Sequence, residues 1–598
     1  MKAVASVRRL LPVLFAVACS HAHVAHRDQP SVPIGIALTK PDDRALAAAL
    51  AARDRDDDAH VSTWYDPKLL TDDVRPEVLA NLATTAGSLD EVTLYDFDLT
   101  IGNDTRTFLV DERVYFQNRS KVELHDLVFR IYANTPQGRE APETFLRGHC
   151  VQTACTVQAE GRDIVIVHPA EPIAPGGRLR VVLHVSGLLP VLEPKQLTME
   201  GATSGAIQTI LGRGDGAPGD YGLLGSGDDI LSFANFYPVV ARHDGEAWDL
   251  DRSTLGDIGP DSLSHVRAHV ELPAGYVVAA SGVQMNEARG DERQRIDFTA
   301  GCMRDFALLA SPQFTSLERR QGDVRVRSFF RTTDRAMGEK VLDAAAWALS
   351  DFEKRFGAYP YRELAMVEQA LAGGVGGVEF AGLGTVASMY YKPIARSSDR
   401  SVGTLLMGGG SIDPALKDSA AEFTTAHEVA HQWFHGIVGS DSRKHPWQDE
   451  ALAQFCAMMY CEDRYGAARA KKDADLNARV SYEMMRMLGS PDGPVDAPAG
   501  TQSQLVYGGL VYGKGPYYLD ALRRRLGDAS FFATMKDYVA RHYLSFAGDH
   551  DFEQAMAHAP GANAPDIATL SHRWLHETHG DDDLGAPDRN AMMKMLGP

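Results

Sequence analysis

Two different periodicities divide the chain. Between about residues 90 and 315, apolar and polar residues alternate in short runs separated by turn-forming residues, which predicts half-buried β-strands. The clearest runs are Glu91–Ile101, Val114–Gln117, Leu127–Tyr132, Ile164–Val167, Leu179–Val185 and Val266–Leu272. After about residue 320, apolar residues recur every three or four positions, as on amphipathic helices. The sequence therefore predicts a β domain followed by a mainly helical domain.

Several helices are expected in the second domain. The first follows Asp334, a candidate cap, and Gly357 fits its end. Its apolar face consists of Met337, Val341, Ala345, Ala348 and Phe352. The others are expected at about 419–437, at about 449–465, after Tyr512 with Pro516 in the first turn, and around Phe531–Tyr543.

The N-terminus has the pattern of a secretion signal over residues 1–19. A basic start precedes the apolar run Leu10–Ala18, which is too short to span a bilayer. Ala16–Cys19 (AVAC) resembles the lipobox of bacterial lipoproteins, which implies a lipid anchor through Cys19. Cleavage nearby by ordinary signal peptidase is the alternative. We expect an exported protein, in the cell envelope or outside the cell, with a polar tether over residues 20–60.

Composition narrows the choice of compartment and partners. A chain of 598 residues needs more than one domain, and 44% hydrophobic with 23% charged residues is ordinary for a soluble protein. The formal net charge of -20 disfavours nucleic acid as a partner. Export permits disulfides, and Cys150 and Cys155 are the best candidates for one. Cys456 and Cys461 point apart on their predicted helix and are not expected to bond.

The candidate chemistry lies in the segment His427–His431 (HEVAH). Histidines four residues apart share one helix face and can bind a single zinc ion. Glu428 stands next to the first ligand, where it can act as the general base on a water. Zinc needs a third protein ligand, and Glu450 at the start of the next predicted helix can supply it. The alternative is a polar stripe on a surface helix, but the neighbouring positions are too apolar for one.

These segments resemble the gluzincin aminopeptidases, which include aminopeptidase N and the leukotriene hydrolase. His427–Phe434 (HEVAHQWF) matches the zinc helix of that family, and Trp447–Ala453 (WQDEALA) resembles its second zinc segment. The resemblance implies an α+β multidomain protein. By this resemblance we expect an N-terminal all-β, saddle-like sandwich domain over 61–316. A thermolysin-like, mainly α catalytic domain is expected over 317–582. A tail, 583–598, leaves little room for the family's large C-terminal helical domain.

Two further segments extend the resemblance. Gly376–Phe380 (GGVEF) aligns with the family's Gly-Ala-Met-Glu-Asn motif, so Gly376, Gly377 and Glu379 are implied to bind the substrate, with Glu379 on its free α-amine. Without the family, this segment would be an ordinary glycine-rich loop. Val511–Gly515 (VYGKG) resembles the Tyr-Glu-Lys-Gly segment, so Tyr512 is implied to stabilise the oxyanion. Tyr507 is a less favoured candidate for that role.

The implied function is that of a zinc-dependent aminopeptidase, which removes the N-terminal residue from peptides. Asp449 is interpreted as a helix N-cap rather than as an orienting residue for a ligand. Two alternatives stay open. A thermolysin-like endopeptidase follows if Glu379 does not face the cleft, and a non-catalytic binding protein could use the same scaffold. The sequence predicts neither the oligomeric state nor the preferred N-terminal residue.

Overall fold

The computed structural model describes residues 64–79, 89–135, 140–199, 221–253, 255–256, 259, 262–393 and 414–588. The predicted secretion signal with Cys19, the tether and most of the predicted tail lie outside these residues. Among the residues described, no helix is both long and apolar enough to cross a bilayer.

The first part of the chain is built from β-sheets, as predicted. Its described strands are β1 (Thr93–Ile101), β2 (Thr107–Gln117), β3 (Leu127–Arg130), β4 (Glu143–Cys150), β5 (Cys155–Glu160), β6 (Ile164–Pro169), β7 (Arg178–Leu188), β8 (Leu224–Gly227), β9 (Ile230–Phe233), β10 (Val239–Val240), β11 (Ser264–Pro273), β12 (Val277–Ala280), β13 (Val283–Arg289), β14 (Arg293–Met303) and β15 (Leu308–Ser311). They form a seven-stranded sheet, β13-β14-β11-β1-β2-β7-β4, and two four-stranded sheets, β10-β3-β6-β5 and β12-β15-β9-β8. Most of their buried apolar side chains belong to one core that continues into the helical part.

All six strands predicted from alternation are confirmed, with ends that differ by a few residues. The largest difference is at Val114–Gln117, which is only the end of β2. That strand begins at Thr107, but Asp111 and Glu112 interrupt the apolar pattern because they are polar and yet buried. Asp111 is satisfied by His184, whose Nδ1 lies 2.7 Å from its Oδ1. A buried polar pair of this kind cannot be recognised from hydrophobicity alone.

The second part of the chain starts with a five-stranded sheet and continues as helices. The sheet has the order β16-β17-β18-β20-β19, with β16 (Phe314–Gln321), β17 (Val324–Arg331), β18 (Glu363–Gln369), β19 (Gly377–Phe380) and β20 (Leu383–Ala387). A small parallel pair joins β21 (Val438–Gly439) to β22 (Ser545–Phe546). The described helices are α1 (Arg335–Phe356), α2 (Ser388–Tyr391), α3 (Pro414–Ala430), α4 (Glu450–Tyr465), α5 (Ala467–Ala474), α6 (Val480–Met487), α7 (Gln504–Tyr507), α8 (Gly515–Leu526), α9 (Asp528–Arg541), α10 (Asp551–Ala557), α11 (Ala564–His576) and α12 (Gly580–Asp583).

Helix α1 has the predicted end but not the predicted cap. Gly357 stands at its C-cap with φ +112°, and its N–H donates to the carbonyl of Glu353. Asp334 occupies the N-cap position, yet its side chain makes no capping hydrogen bond. It pairs instead with Arg331 at 2.9 Å, so an ion pair replaces the expected cap.

The predicted helix at 419–437 is wrong at its C-terminal end, because α3 stops at Ala430. Beyond Ala430 the backbone hydrogen bonds join residues five positions apart instead of four. Gly436 N donates to His431 O at 2.9 Å, and Val438 N donates to Trp433 O at 2.9 Å. His435 adopts φ +143°, which no helix residue can have. The apolar residues after Ala430 are buried in a turn. Their spacing along the sequence is the same as on a helix, which is why the predicted helix was too long.

A strap at residues 64–79 joins the β domain to the helical part. Both oxygens of Asp73 accept from the backbone N–H of Gly301 in β14, at 3.0 and 2.9 Å. The carbonyl of Asp73 accepts from the N–H of Arg362 at 2.7 Å. Arg75 donates to Glu353 at 2.6 Å, near the end of α1. The strap therefore bonds to both parts of the molecule at once.

The predicted disulfide between Cys150 and Cys155 is present, with a Cα–Cα distance of 5.8 Å. It links the end of β4 in the seven-stranded sheet to the start of β5 in a four-stranded sheet. Cys302, Cys456 and Cys461 are buried free thiols, in agreement with the expectation that Cys456 and Cys461 do not bond. The bridge thus fastens two sheets at their edges.

We expect Asp73 to make stability depend on pH. Burial raises the pKa of Asp73 to about 8 from an ordinary value of 3.8. Folding therefore favours the protonated carboxyl, and this stabilisation is complete below pH 3.8 and lost as the pH rises through about 8. Relative to wild type, Asp73→Asn should gain stability between pH 5 and pH 8, by at most about 1.4 kcal/mol per pH unit. Urea unfolding of both proteins across this range measures the difference, and a constant difference would contradict the assignment.

Candidate metal centre

The three predicted metal ligands come from two consecutive helices. His427 lies in the last turn of α3, and His431 follows the end of that helix by one residue. The N–H of His431 still donates to the carbonyl of His427 at 3.2 Å, so the two rings keep a helical relation. Glu450 is the first residue of α4. The structure brings these three side chains together in a fully enclosed place, with exposed fractions of 0, 0 and 1%.

The spacing of the ligand atoms fits one tetrahedral metal ion. The two Nε2 atoms of His427 and His431 are 2.9 Å apart. Each of them is 3.3 Å from Oε2 of Glu450. Ligand atoms bound at about 2 Å in a tetrahedron are about 3.3 Å apart. Two imidazoles and one carboxylate are also the donor set that zinc takes in catalytic sites, where a fourth position stays open.

Asp449 orients one of these ligands, so its interpretation as a helix N-cap is wrong. It does stand at the N-cap of α4, but its side chain makes no capping hydrogen bond there. Nδ1 of His431 donates to Oδ1 of Asp449 at 2.7 Å and also faces the carbonyl of Phe434 at 3.1 Å. With its proton on Nδ1, His431 turns the lone pair of Nε2 towards His427 and Glu450.

Burial and mutual charge shift the pKa values of these groups in opposite directions. Burial lowers the pKa of His427 well below its usual range, which favours the neutral ring that a metal needs. Burial alone would also lower the pKa of His431, but the charges of Glu379 and Asp449 raise it well above that range. Burial raises the pKa of Glu450, whereas the charge of His431 and its hydrogen bond hold the pKa of Asp449 below its usual range despite burial.

Glu428, in the last turn of α3, is fully buried against the glycine-rich segment Gly376–Phe380. A Cβ atom at Gly377 would be 2.5 Å from Oε1 of Glu428 and 2.4 Å from the carbonyl of Thr385. A Cβ atom at Gly384 would be 3.2 Å from Cβ of Glu428. The close approach of β19 and β20 therefore requires glycine, which explains Gly377 at the position where the family motif has Ala. Gly376 packs in the same way beside Tyr390 and Thr424.

Glu379 faces the metal ligands from strand β19. It is 4% exposed, and its carboxylate lies within 4.8 Å of the ligand atoms of Glu428 and His431. Burial raises the pKa of Glu379 to about 7, which the charge of His431 opposes. Strand β19 is the edge of its sheet.

Tyr512 lies on a π-helical segment, Gly508–Lys514, that leads into α8. Its ring is stacked on His427 with centroids 6.1 Å apart, and its interaction with Glu450 opposes the rise that burial causes in the pKa of that carboxyl. Tyr507 packs on Tyr512 at 5.8 Å. Lys514 is buried and donates to the carbonyl of Gly493 at 2.8 Å, which anchors this segment. The phenol of Tyr512 is thus directed at the ligand cluster.

The β domain contributes contacts that the sequence analysis missed. Nε of Arg304 donates to the carbonyl of His435 at 2.6 Å, and another nitrogen donates to the carbonyl of Ser545 at 2.6 Å. Asp305 accepts from the N–H of Ala381 at 2.7 Å and pairs with Nε2 of His435 at 3.0 Å. Arg304 and Asp305 directly follow β14, and they hold both the turn after α3 and the loop after β19. No local pattern marks them, because their partners are more than seventy residues away.

Comparisons with known proteins agree with this arrangement. Residues 404–574 match the model of the Peptidase family M1 domain. Aminopeptidase N of Lactobacillus delbrueckii subsp. lactis is 26% identical over 193 residues, which cover 32% of this chain and 22% of that protein. Aminopeptidase N of Lactococcus lactis subsp. cremoris is 28% identical over 158 residues, or 25% of this chain and 18% of that protein. The chain spans about a quarter of the length of the curated relatives it matches.

A solved structure extends the likeness to most of the chain. The M1 zinc metallopeptidase of Deinococcus radiodurans has a TM-score of 0.56 at 17% identity and covers 82% of this chain and 94% of its own. This likeness concerns the fold, a β domain followed by a helical catalytic domain. The site and the fold together define a metallopeptidase scaffold of the His-Glu-x-x-His class. The predicted resemblance to the aminopeptidase N-like gluzincins is confirmed by the match of residues 404–574 to the Peptidase family M1 domain and by the similarity to these relatives.

Asp449 gives a direct test of the centre. Asp449→Asn should weaken zinc binding about 10- to 100-fold. The uncharged amide accepts a weaker hydrogen bond from Nδ1 of His431 than the carboxylate does, so it holds the ring less firmly in the tautomer that leaves Nε2 free for the metal. Competition with a chromogenic chelator measures this affinity. Asp496→Asn is the matched control, because Oδ1 of Asp496 also lies 2.7 Å from a histidine Nδ1, that of His445, which is not a ligand. Equal affinities in the two variants would show that Asp449 does not support the metal.

Proposed function

We propose that this protein is a zinc-dependent aminopeptidase, which removes the N-terminal residue from peptides. One observation carries the proposal: the buried carboxylate of Glu379 lies within 4.8 Å of the ligand atoms of Glu428 and His431. Three metal ligands and the general base Glu428 are the groups that a zinc peptidase needs. The additional carboxylate of Glu379 next to them determines where the N-terminus of the substrate lies.

The residues present fit a zinc ion held by His427, His431 and Glu450. Zinc bound there would polarise a peptide carbonyl and lower the pKa of a water molecule. Glu428 is adjacent in sequence to the first ligand and faces the same enclosed space, so its carboxylate can take a proton from the attacking water. The same carboxyl group can then return the proton to the departing amine.

Tyr512, whose ring is stacked on His427, also supports the proposal. A phenol donates a hydrogen bond without adding charge, which suits an oxygen that becomes negative during the reaction. The anchoring of its segment through Lys514 keeps the phenol in place before substrate arrives. Such preorganisation avoids a cost of rearrangement in the transition state.

Glu379 selects the substrate in this proposal. A cationic α-amine pairs with a buried carboxylate, whereas an internal peptide bond brings no cation to it. An unpaired buried charge is costly, so the site disfavours substrates without a free N-terminus. The reaction then stops at one residue per cycle.

Free and N-acetylated versions of one peptide library test the proposal. We expect cleavage of the free peptides alone, loss of it with a chelator, and a fall of at least about 100-fold in turnover for Glu428→Gln with zinc retained. Glu379→Gln should raise KM for free peptides more than it lowers kcat. Mass spectrometry reads the products, and zinc analysis shows that the variants stay loaded.

Other outcomes would replace the proposal. Cleavage of the N-acetylated peptides at internal bonds would make the protein an endopeptidase. A zinc-loaded protein without turnover on the whole library would favour a binding function. Full activity of Glu428→Gln would remove Glu428 from the reaction.

We further propose that the protein is exported and anchored by a lipid on Cys19. The basic and apolar start of the chain and its lipobox-like segment support this, and so does the disulfide of Cys150 and Cys155, since disulfides persist outside the cytosol. Mass spectrometry of the mature N-terminus tests it. A diacylglyceryl group on Cys19 supports the anchor, whereas a mature chain that begins elsewhere contradicts it.

A further inference from the structure

Strand β19 carries Glu379, but its sheet supports this strand on one side only. The strand has four residues and, among the described strands, pairs with β20. Glycine occupies positions 373, 374, 376 and 377 just before and at its start, and Gly373 and Gly374 adopt φ +72° and +89°. Glycine leaves the backbone more conformational freedom than any other residue. Glu379 therefore keeps its place beside the metal ligands only if groups outside the sheet hold the strand.

Gln432 holds the turn between β19 and β20. This residue is 2% exposed, and its side-chain amide bonds to both sides of the turn. Nε2 donates to the carbonyl of Phe380 at 2.9 Å, and Oε1 accepts from the N–H of Gly382 at 2.9 Å. Gly382 adopts φ +76°, as a tight turn at this place requires. One buried amide thus closes the turn that directly follows Glu379 and Phe380.

The backbone of Gln432 is itself fixed. It follows the ligand His431 directly, its N–H donates to the carbonyl of Val429 at 3.1 Å, and its carbonyl accepts from the N–H of Ile437 at 3.1 Å. A displacement of the amide would therefore break backbone hydrogen bonds next to a metal ligand. Gln432 links the position of the turn after β19 to the position of His431.

We propose that Gln432 is a positioning residue, which holds the turn after β19 and so fixes where the carboxylate of Glu379 lies relative to the metal ligands. The effect on KM, but not the hold on the turn, rests on the proposed function, in which Glu379 binds the α-amine of the substrate. A displaced carboxylate weakens binding of substrate and transition state alike, so the loss appears in KM rather than in kcat. An amide suits the task because it offers a donor and an acceptor without a charge.

Gln294 supplies a matched control in the β domain. It is 3% exposed, and its amide makes the same pair of bonds to another turn. Oε1 accepts from the N–H of Gly275 at 3.1 Å, and Nε2 donates to the carbonyl of Tyr276 at 2.6 Å. Replacement of Gln294 removes as many buried hydrogen bonds as replacement of Gln432, but from a turn between β11 and β12.

Kinetics of two variants test the effect on KM. Gln432→Met removes both bonds at a similar side-chain length, and KM for free peptides should rise at least about tenfold, since misplacement by about 1 Å can cost more than that. Gln432→Glu keeps the acceptor for Gly382 and loses the donor to Phe380, so its KM should lie between those of wild type and Gln432→Met. It also carries the test if Gln432→Met does not fold. Zinc affinity should stay within about twofold of wild type, unlike that of Asp449→Asn. Gln294→Met should leave KM unchanged.

A double-mutant cycle separates positioning of Glu379 from a general structural effect. In the Glu379→Gln background, the change at Gln432 should alter KM by less than about twofold, because both changes then act on one contact. Effects that multiply would show that Gln432 does not act through Glu379 and would overturn the proposal. An unchanged KM in both single variants at Gln432, or a loss of zinc as large as that in Asp449→Asn, would overturn it as well.

Hydrogen exchange measures the hold on the turn without turnover. Amides of residues 378–386 should exchange at least about tenfold faster in Gln432→Met than in wild type, and at the wild-type rate in Gln294→Met. Equal exchange in wild type and Gln432→Met would overturn the proposal. Faster exchange in a wild-type protein that cleaves no peptide, or one in which Glu379→Gln leaves KM unchanged, would uphold the hold on the turn and contradict the proposed function instead.

Discussion

The hydrogen bond from Nδ1 of His431 to Asp449 joins the end of one helix to the start of the next. Because the proton of the ring is used there, Nε2 presents its lone pair to the other two ligands. The same contact sets the distance between α3 and α4, and with it the position of Glu450, the first residue of α4. One bond of 2.7 Å thus fixes a tautomer, a ring orientation and a helix spacing. A ligand triangle of 2.9 to 3.3 Å can form only if all three are correct.

The β domain is part of this centre and not an appendage to it. Arg304 and Asp305 cross from the end of β14 to the turn that carries His435, and Asp305 also holds the backbone next to strand β19. The strap at residues 64–79 bonds to both parts through Asp73. A shift of the β domain would therefore move Glu379 relative to the metal ligands. Since misplacement by about 1 Å can cost about 100-fold in rate, the domain contact belongs to the catalytic geometry.

The sequence predicts what depends on local spacing, and fails where distant residues meet. His427 and His431 are four positions apart on one helix, so their convergence follows from helix geometry alone. Glu450 and Glu379 required the resemblance to a family, because their approach depends on how helices and sheet pack. Asp449 was visible next to Glu450, but its sequence position does not reveal which way the side chain turns. His435 and Asp305 are 130 residues apart, and no pattern along the chain links them.

Carboxylates outnumber the cations in this enclosed region, and this imbalance explains how binding and selection are coupled. A buried carboxylate costs several kcal/mol unless a cation or donors pair with it. A metal ion held at the candidate metal centre would offset this cost for Glu450, and His431 offsets it for Asp449. Glu379 is left with one oxygen that makes no hydrogen bond among the described residues, so its partner must come from outside. In the proposed function, a free α-amine supplies that partner, whereas a blocked N-terminus would bury its own polar groups against an unpaired charge. Under that proposal, rejection of a blocked substrate follows from the unpaired carboxylate and needs no steric barrier.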